Sequence, residues 1–120
     1  MKDFIKWVEI PTSDFDRAVR FYGQVFKLEL TPIDFGNEQM ACFPGGEGAL
    51  ISHPDYKPGA NGAVVSFQVP DTIEETVQRI EQLGCKVLQP RTCIDEEGSR
   101  FFAVFLDPEG NRVGLYEQTR

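Results

Sequence analysis

At 120 residues the chain suits one domain with a modest core, or two half-domains that share one. Its formal charge of -7 argues against nucleic acid or an anionic membrane as the main partner, because both reward a basic surface. No apolar run approaches the roughly 20 residues that cross a bilayer and no signal peptide opens the chain, so the expected location is cytoplasmic.

In chain order, the β-branched and aromatic content from Phe4 to Ile10 predicts a strand, and Pro11 to Asp14 supply a break and a helix start. A helix follows, with its apolar face at Phe15, Ala18, Val19, Tyr22, Val25 and Phe26. Three short strands come next, 28–35, 38–43 and 48–53, separated by Gly36-Asn37 and Pro44-Gly45-Gly46 turns. Residues 54–62, rich in Pro, Gly, Asp and Asn, read as a linker. A strand over 63–69 leads into a second helix that ends at Leu83, with Gly84 as its stop. Strands near 86–93, 101–106 and 112–117 complete the chain, joined by the turns Asp95–Gly98 and Asp107–Asn111.

The halves repeat. The apolar stripe of the first helix returns 58 positions later as Ile73, Thr76, Val77, Ile80 and Leu83. The helix starts correspond too: Ser13 with Asp16, and Asp71 with Glu74, each pair an N-cap residue with an acid three positions on. The reading is one α+β domain over 1–120, made of a βαβββ module of about 1–54, a linker of 54–62 and a second βαβββ module of about 63–120.

Several chemistries are poorly served. Cys42, Cys85 and Cys93 are odd in number and lack C-x-x-C spacing, which disfavours a disulfide framework or zinc knuckle. One histidine, His53, cannot furnish a Ser/His/Asp set, and no G-x-S-x-G occurs. The glycines of PGGEGAL lack the GK[ST] ending of a phosphate loop. Asp95-Glu96-Glu97 reads as a solvated turn.

The phrases IPTSDFDRAVRFYGQVF and FLDPEGNRVGLYE resemble the two signatures of the vicinal oxygen chelate superfamily, which includes glyoxalase I, bleomycin resistance proteins and extradiol dioxygenases. The resemblance covers nearly the whole chain. It implies modules that curl into a curved mixed sheet with a cup-shaped cavity, and a homodimer for a chain of this length. Metal-dependent members line the cup with ligands from the first and last strands of each module. Carried over, those positions are Trp7, Ser52, Val64 and Gly114, none of them a good ligand. The expectation is therefore no metal and no cofactor. The alternative ligand set is His53, reached by slipping one residue, with Glu9, which shares a strand face with Trp7.

Strand alternation places Trp7, Glu9, Ser52, Ser66, Gln68, Arg112, Gly114 and Tyr116 on the cavity side, and Phe4, Val8, Ile10, Val65, Phe67, Val69, Val113 and Leu115 toward the helices. Phe101 joins the cavity list, with Met40, Cys42 and Ala103 as further wall candidates; the inward parity of these two strands is left open. An indole, a phenol, a guanidinium and an amide suit a small organic molecule with a planar or anionic portion. The resemblance implies three functions. One is a metal-free small-molecule-binding protein, one an enzyme with displaced ligands or Glu9 as catalytic base, and one a regulatory module whose cup is closed by packing.

Overall fold

The fold is described from a computed structural model over residues 4–119. The chain divides into two compact units between Pro58 and Gly59, inside the Pro- and Gly-rich stretch. Both units have the order βαβββ, so the α+β expectation holds in each. No described helix is long and apolar enough to cross a membrane.

In the first unit, β1 (Val8–Pro11), α1 (Phe15–Phe26), β2 (Pro32–Asp34), β3 (Gln39–Cys42) and β4 (Gly48–Ser52) form a sheet of order β1-β4-β3-β2. β1 runs parallel to β4 and the remaining pairs are antiparallel. α1 packs on β4 through Phe15, Ala18, Phe21, Tyr22, Val25 and Phe26, all buried. The stripe differs from expectation by one residue: Phe21 is inside and Val19 only half-buried. Tyr22 explains the choice, because its ring meets Phe21 edge-on at 5.4 Å and stacks on Phe26 at 5.9 Å.

β1 is shorter than its sequence suggests. Its sole neighbour among the described residues, β4, begins at Gly48 opposite Val8, and the Val8 amide donates to the Glu47 carbonyl at 3.0 Å. Beyond that point the chain has no ladder to join. Phe4 and Ile5 are accordingly exposed, 75% and 69%, and Phe4 does not face the helix.

The second unit repeats the plan with β5 (Val65–Gln68), α2 (Ile73–Gln82), β6 (Val87–Cys93), β7 (Arg100–Leu106) and β8 (Arg112–Gln118), in the order β5-β8-β7-β6. α2 packs on β6 and β8, burying Ile73, Thr76 and Ile80 over a core that includes Val69, Ala103, Phe105, Val113 and Leu115. Leu83, the last member of the expected stripe, is exposed, because the helix ends at Gln82 and Gly84 takes a φ of 84°. β6 meets β7 with two register shifts around Gln89, where Pro90 withholds a ladder donor.

Both helix caps fall one residue later than expected. Asp14 accepts from the Arg17 amide at 3.2 Å, and Thr72 accepts from the Glu75 amide at 3.1 Å. Asp71 is released for other work, accepting from Thr76 Oγ1 at 3.0 Å and pairing with Arg79 Nη1 at 2.8 Å.

Candidate functional site

Register decides which side chains share a face. In the first unit Glu9 stands beside Ala49, and Ala49 beside Cys42, so Glu9, Ile51, Met40 and Cys42 lie on one side of the sheet. Ser52 does not join them. It pairs with Gln39 and has the parity of Leu50, which faces α1 with Ile10 and Ala41. The expected cavity position of Ser52 is thereby corrected. Trp7 precedes the strand, 45% exposed, yet it is fixed to Glu9: its Nε1–H donates to Oε2 at 3.0 Å.

His53 follows the last residue of β4 and turns into the next loop. Its Nδ1 accepts from the Asp55 amide at 3.0 Å and its ring stacks on Tyr56 at 4.2 Å. A neutral imidazole that accepts at Nδ1 carries its proton on Nε2, so it has no lone pair left for a metal.

In the second unit Ser66 stands beside Gly114 and Gln68 beside Tyr116, and Arg112 shares their parity, so these five lie on one face. β7 adds Phe102, Val104 and Leu106, which pair with Tyr116, Gly114 and Arg112. Phe101 and Ala103 lie on the opposite face, beside Glu117 and Leu115, which corrects the inclusion of Phe101. The signal for this parity was in the five-residue turn: the Asp107 amide donates to the Asn111 carbonyl at 2.9 Å, which sets Leu106 opposite Arg112.

Phe101 has a structural task on its own face. The Arg91 guanidinium sits 3.5 Å from its ring centroid and approaches Glu117 Oε1 at 3.6 Å. Glu117 Oε1 also accepts from the Ile73 amide at 2.8 Å, so this carboxylate ties β8 to the start of α2.

The polar residues of the first face are held differently. Arg112 Nε donates to the Ala60 carbonyl at 3.2 Å, and the Tyr116 hydroxyl donates to Gln118 Oε1 at 3.4 Å. Gly114 is required by its neighbour, since a Cβ there would overlap Ser66 Oγ and come within 3.2 Å of Ser66 Cβ. Val64, exposed, ends the loop before β5.

The four positions carried over from metal-dependent members offer poor donor chemistry. Trp7 offers an N–H that Glu9 already receives, Val64 and Gly114 offer no donor atom, and Ser52 faces the helix side. Among the described residues no three His, Cys, Asp or Glu side chains gather as a ligand set.

Two further features lie apart from these faces. An open groove of about 480 Å³ runs between the outer side of α1 and residues 28–31, lined by Val19, Arg20, Gln24 and Leu30 among others. In the β6–β7 turn, Asp95 is an organiser rather than a solvated acid, in contrast to expectation. It accepts from Ser99 Oγ at 2.7 Å, the Ser99 amide at 3.0 Å and the Arg100 amide at 3.2 Å, and pairs with Arg100 Nε at 3.4 Å. The Ser99 hydroxyl above all, then the two amides and the guanidinium, hold its carboxyl well below the usual carboxylate range against an opposing desolvation. Arg100 is raised in turn, chiefly by its bond to Asp95.

The family model of the Glyoxalase/Bleomycin resistance protein/Dioxygenase superfamily matches residues 4–115. No curated protein matches the chain. Among solved structures, a superfamily member from Sphaerobacter thermophilus is 22% identical over 96% of this chain and 97% of its own, with a TM-score of 0.69. A glyoxylase/bleomycin resistance protein/dioxygenase domain from Frankia sp. is 15% identical over 95% and 96%, with a TM-score of 0.71. A virulence protein from Salmonella typhimurium is 21% identical over 98% of each chain, with a TM-score of 0.65. At these identities the likeness is one of fold.

Proposed function

The chain belongs to the Glyoxalase/Bleomycin resistance protein/Dioxygenase superfamily, and from that premise we propose that it is a small-molecule-binding member that works without a metal. The observation that carries the reading is the simultaneous loss of donors at the positions from which metal-dependent members coordinate: Trp7, Ser52, Val64 and Gly114. Losing one ligand leaves a place for water, but losing four leaves nothing to hold the ion. The candidate binding surface on this reading is, within each unit taken by itself, the sheet face turned away from the helix, with Trp7 an aromatic platform in the first and Arg112 a cation in the second. The protein acts as a homodimer in the cytoplasm, where Cys42, Cys85 and Cys93 remain outside any disulfide.

A second reading, enzymatic, rests on Glu9. Its carboxylate is exposed and oriented by Trp7, which is the arrangement a positioned general base needs.

Elemental analysis after overnight exposure to zinc, nickel and manganese, then desalting, tests the first reading. The expected result is no stoichiometric metal. One metal per chain or per dimer, lost on His53→Ala or Glu9→Gln, overturns it in favour of the enzyme. A thermal-shift screen of a metabolite library identifies the small molecule through the stabilisation it confers.

A further inference from the structure

The second sheet carries an unusual distribution of charge. The chain has 19 Asp and Glu residues, yet no strand position on the face shared by Ser66, Gln68, Arg112 and Tyr116 is acidic among the described residues. Glu117, the acid of β8, has the other parity, where the Ile73 amide and Arg91 engage it. Of the two arginines on the acid-free face, Arg100 is met by Asp95 at 3.4 Å. Arg112 has no acidic partner among the described residues, and its Nε is already committed to the Ala60 carbonyl. The guanidinium is therefore oriented, with its two Nη groups as the remaining donors.

Ser66 lies diagonal to Arg112 and Gln68 one step further along the same face, beside Tyr116; both are exposed, and their side chains make no hydrogen bond among the described residues. Ser66 Oγ stands over Gly114, where a Cβ would overlap it. The absence of a side chain at 114 leaves room for that hydroxyl. Successive residues on one strand face are about 7 Å apart and diagonal neighbours across strands about 8 Å apart, a spacing that suits a molecule of the size of a substituted benzoate.

We propose that the strip of Ser66, Gln68 and Arg112 binds a small organic oxyanion directly, with the Arg112 Nη groups pairing its charge, Ser66 donating to its oxygens and Gln68, further along the strip, meeting the far end of the molecule. The proposal rests on the small-molecule reading and narrows it to a ligand class. A strip with no carboxylate, beside an arginine with no acidic partner among the described residues, favours an anion, because a bidentate guanidinium contact is stronger than a neutral hydrogen bond.

The test uses the full chain, labelled with ¹⁵N, and two probes that differ in charge: benzoate and benzamide, each titrated to about 10 mM, above a millimolar dissociation constant. Benzoate is expected to shift the amides of 66–68 and 112–116 and the Arg112 Nε–H, whereas benzamide leaves them in place. Arg112→Gln is expected to weaken benzoate by about tenfold and Ser66→Ala by about threefold, a conventional range for a charged and a neutral contact. Ser66→Ala keeps the test decisive if Arg112→Gln disturbs the Ala60 loop. Benzamide binding as well as benzoate at these residues overturns the oxyanion class and leaves the small-molecule reading standing. No response to either probe, or benzoate binding unchanged in both variants, overturns the proposal, and the metabolite screen then judges the broader reading separately.

Discussion

The indole N–H of Trp7 donates to the carboxylate of Glu9, two residues on, across 3.0 Å. The pair is exposed, so the bond orients side chains more than it stabilises the fold. Trp7→Ala is expected to change folding stability by no more than about 0.5 kcal/mol, as for other surface sites. It should weaken a planar ligand found by the metabolite screen by roughly 1 to 3 kcal/mol. Trp7 is the chain's single tryptophan, so Glu9→Gln should also shift the intrinsic emission spectrum. A stability loss above about 3 kcal/mol in Trp7→Ala would mark the indole as core instead.

Gly114 and Ser66 should behave as a coupled pair. Rotating Ser66 moves Oγ out of the way of a new Cβ at 114, but Ser66 Cβ at 3.2 Å and Cα at 3.3 Å stay put. Gly114→Ala is therefore expected to cost about 1 to 3 kcal/mol in urea unfolding, a typical overpacking penalty. Ser66→Gly in the same chain should recover more of that loss than Ser66→Ala. Additive single and double variants would show that the two sites do not touch.

Asp95 predicts an acid limb. Its folded-state carboxyl lies below the ordinary aspartate value of 3.8, so its contribution is fully present above that value and is lost as pH falls through the lower folded value. Asp95→Asn should be less stable than the parent at neutral pH. Thermal melts should show the gap narrowing steadily below about pH 4. A gap that stays constant down to the acid limit would assign the loss to turn geometry rather than to charge.

The homodimer proposal makes its own demand. β1 and β2 are the edges of the first sheet, β5 and β6 those of the second, and Phe4 and Ile5 are exposed. Light scattering at micromolar concentration is expected to give twice the chain mass. Phe4→Asp with Ile5→Asp should lower it if these residues are covered by the partner, and a parent of monomer mass removes the proposal.

The two βαβββ halves were legible because periodicity and turn residues act locally. The stripe of α1 and the DPEGN turn of the last hairpin identify their elements without reference to anything distant. Faces were legible only along a strand. Ser66 and Gln68 follow from alternation, but Ser52 and Phe101 were misplaced because the register between neighbouring strands depends on turn closure. The start of β1 depended on where β4 begins, which no property of Phe4 or Ile5 announces. The caps missed by one because Ser13, Asp14, Asp71 and Thr72 are all competent N-caps, and Asp71 is drawn to Arg79.

The entry to the second unit is fastened at two successive residues. The Gly59 amide donates to Asn111 Oδ1 at 3.1 Å, and the Ala60 carbonyl receives Arg112 Nε at 3.2 Å. Arg112 thus works as a latch with one nitrogen while its two Nη groups make no hydrogen bond among the described residues. A group that pulls on those two nitrogens also loads the latch, so occupancy of the face would be felt by the backbone at Ala60. Slower exchange of the neighbouring Gly59 amide, which Asn111 Oδ1 holds, is the mechanical trace such a latch leaves.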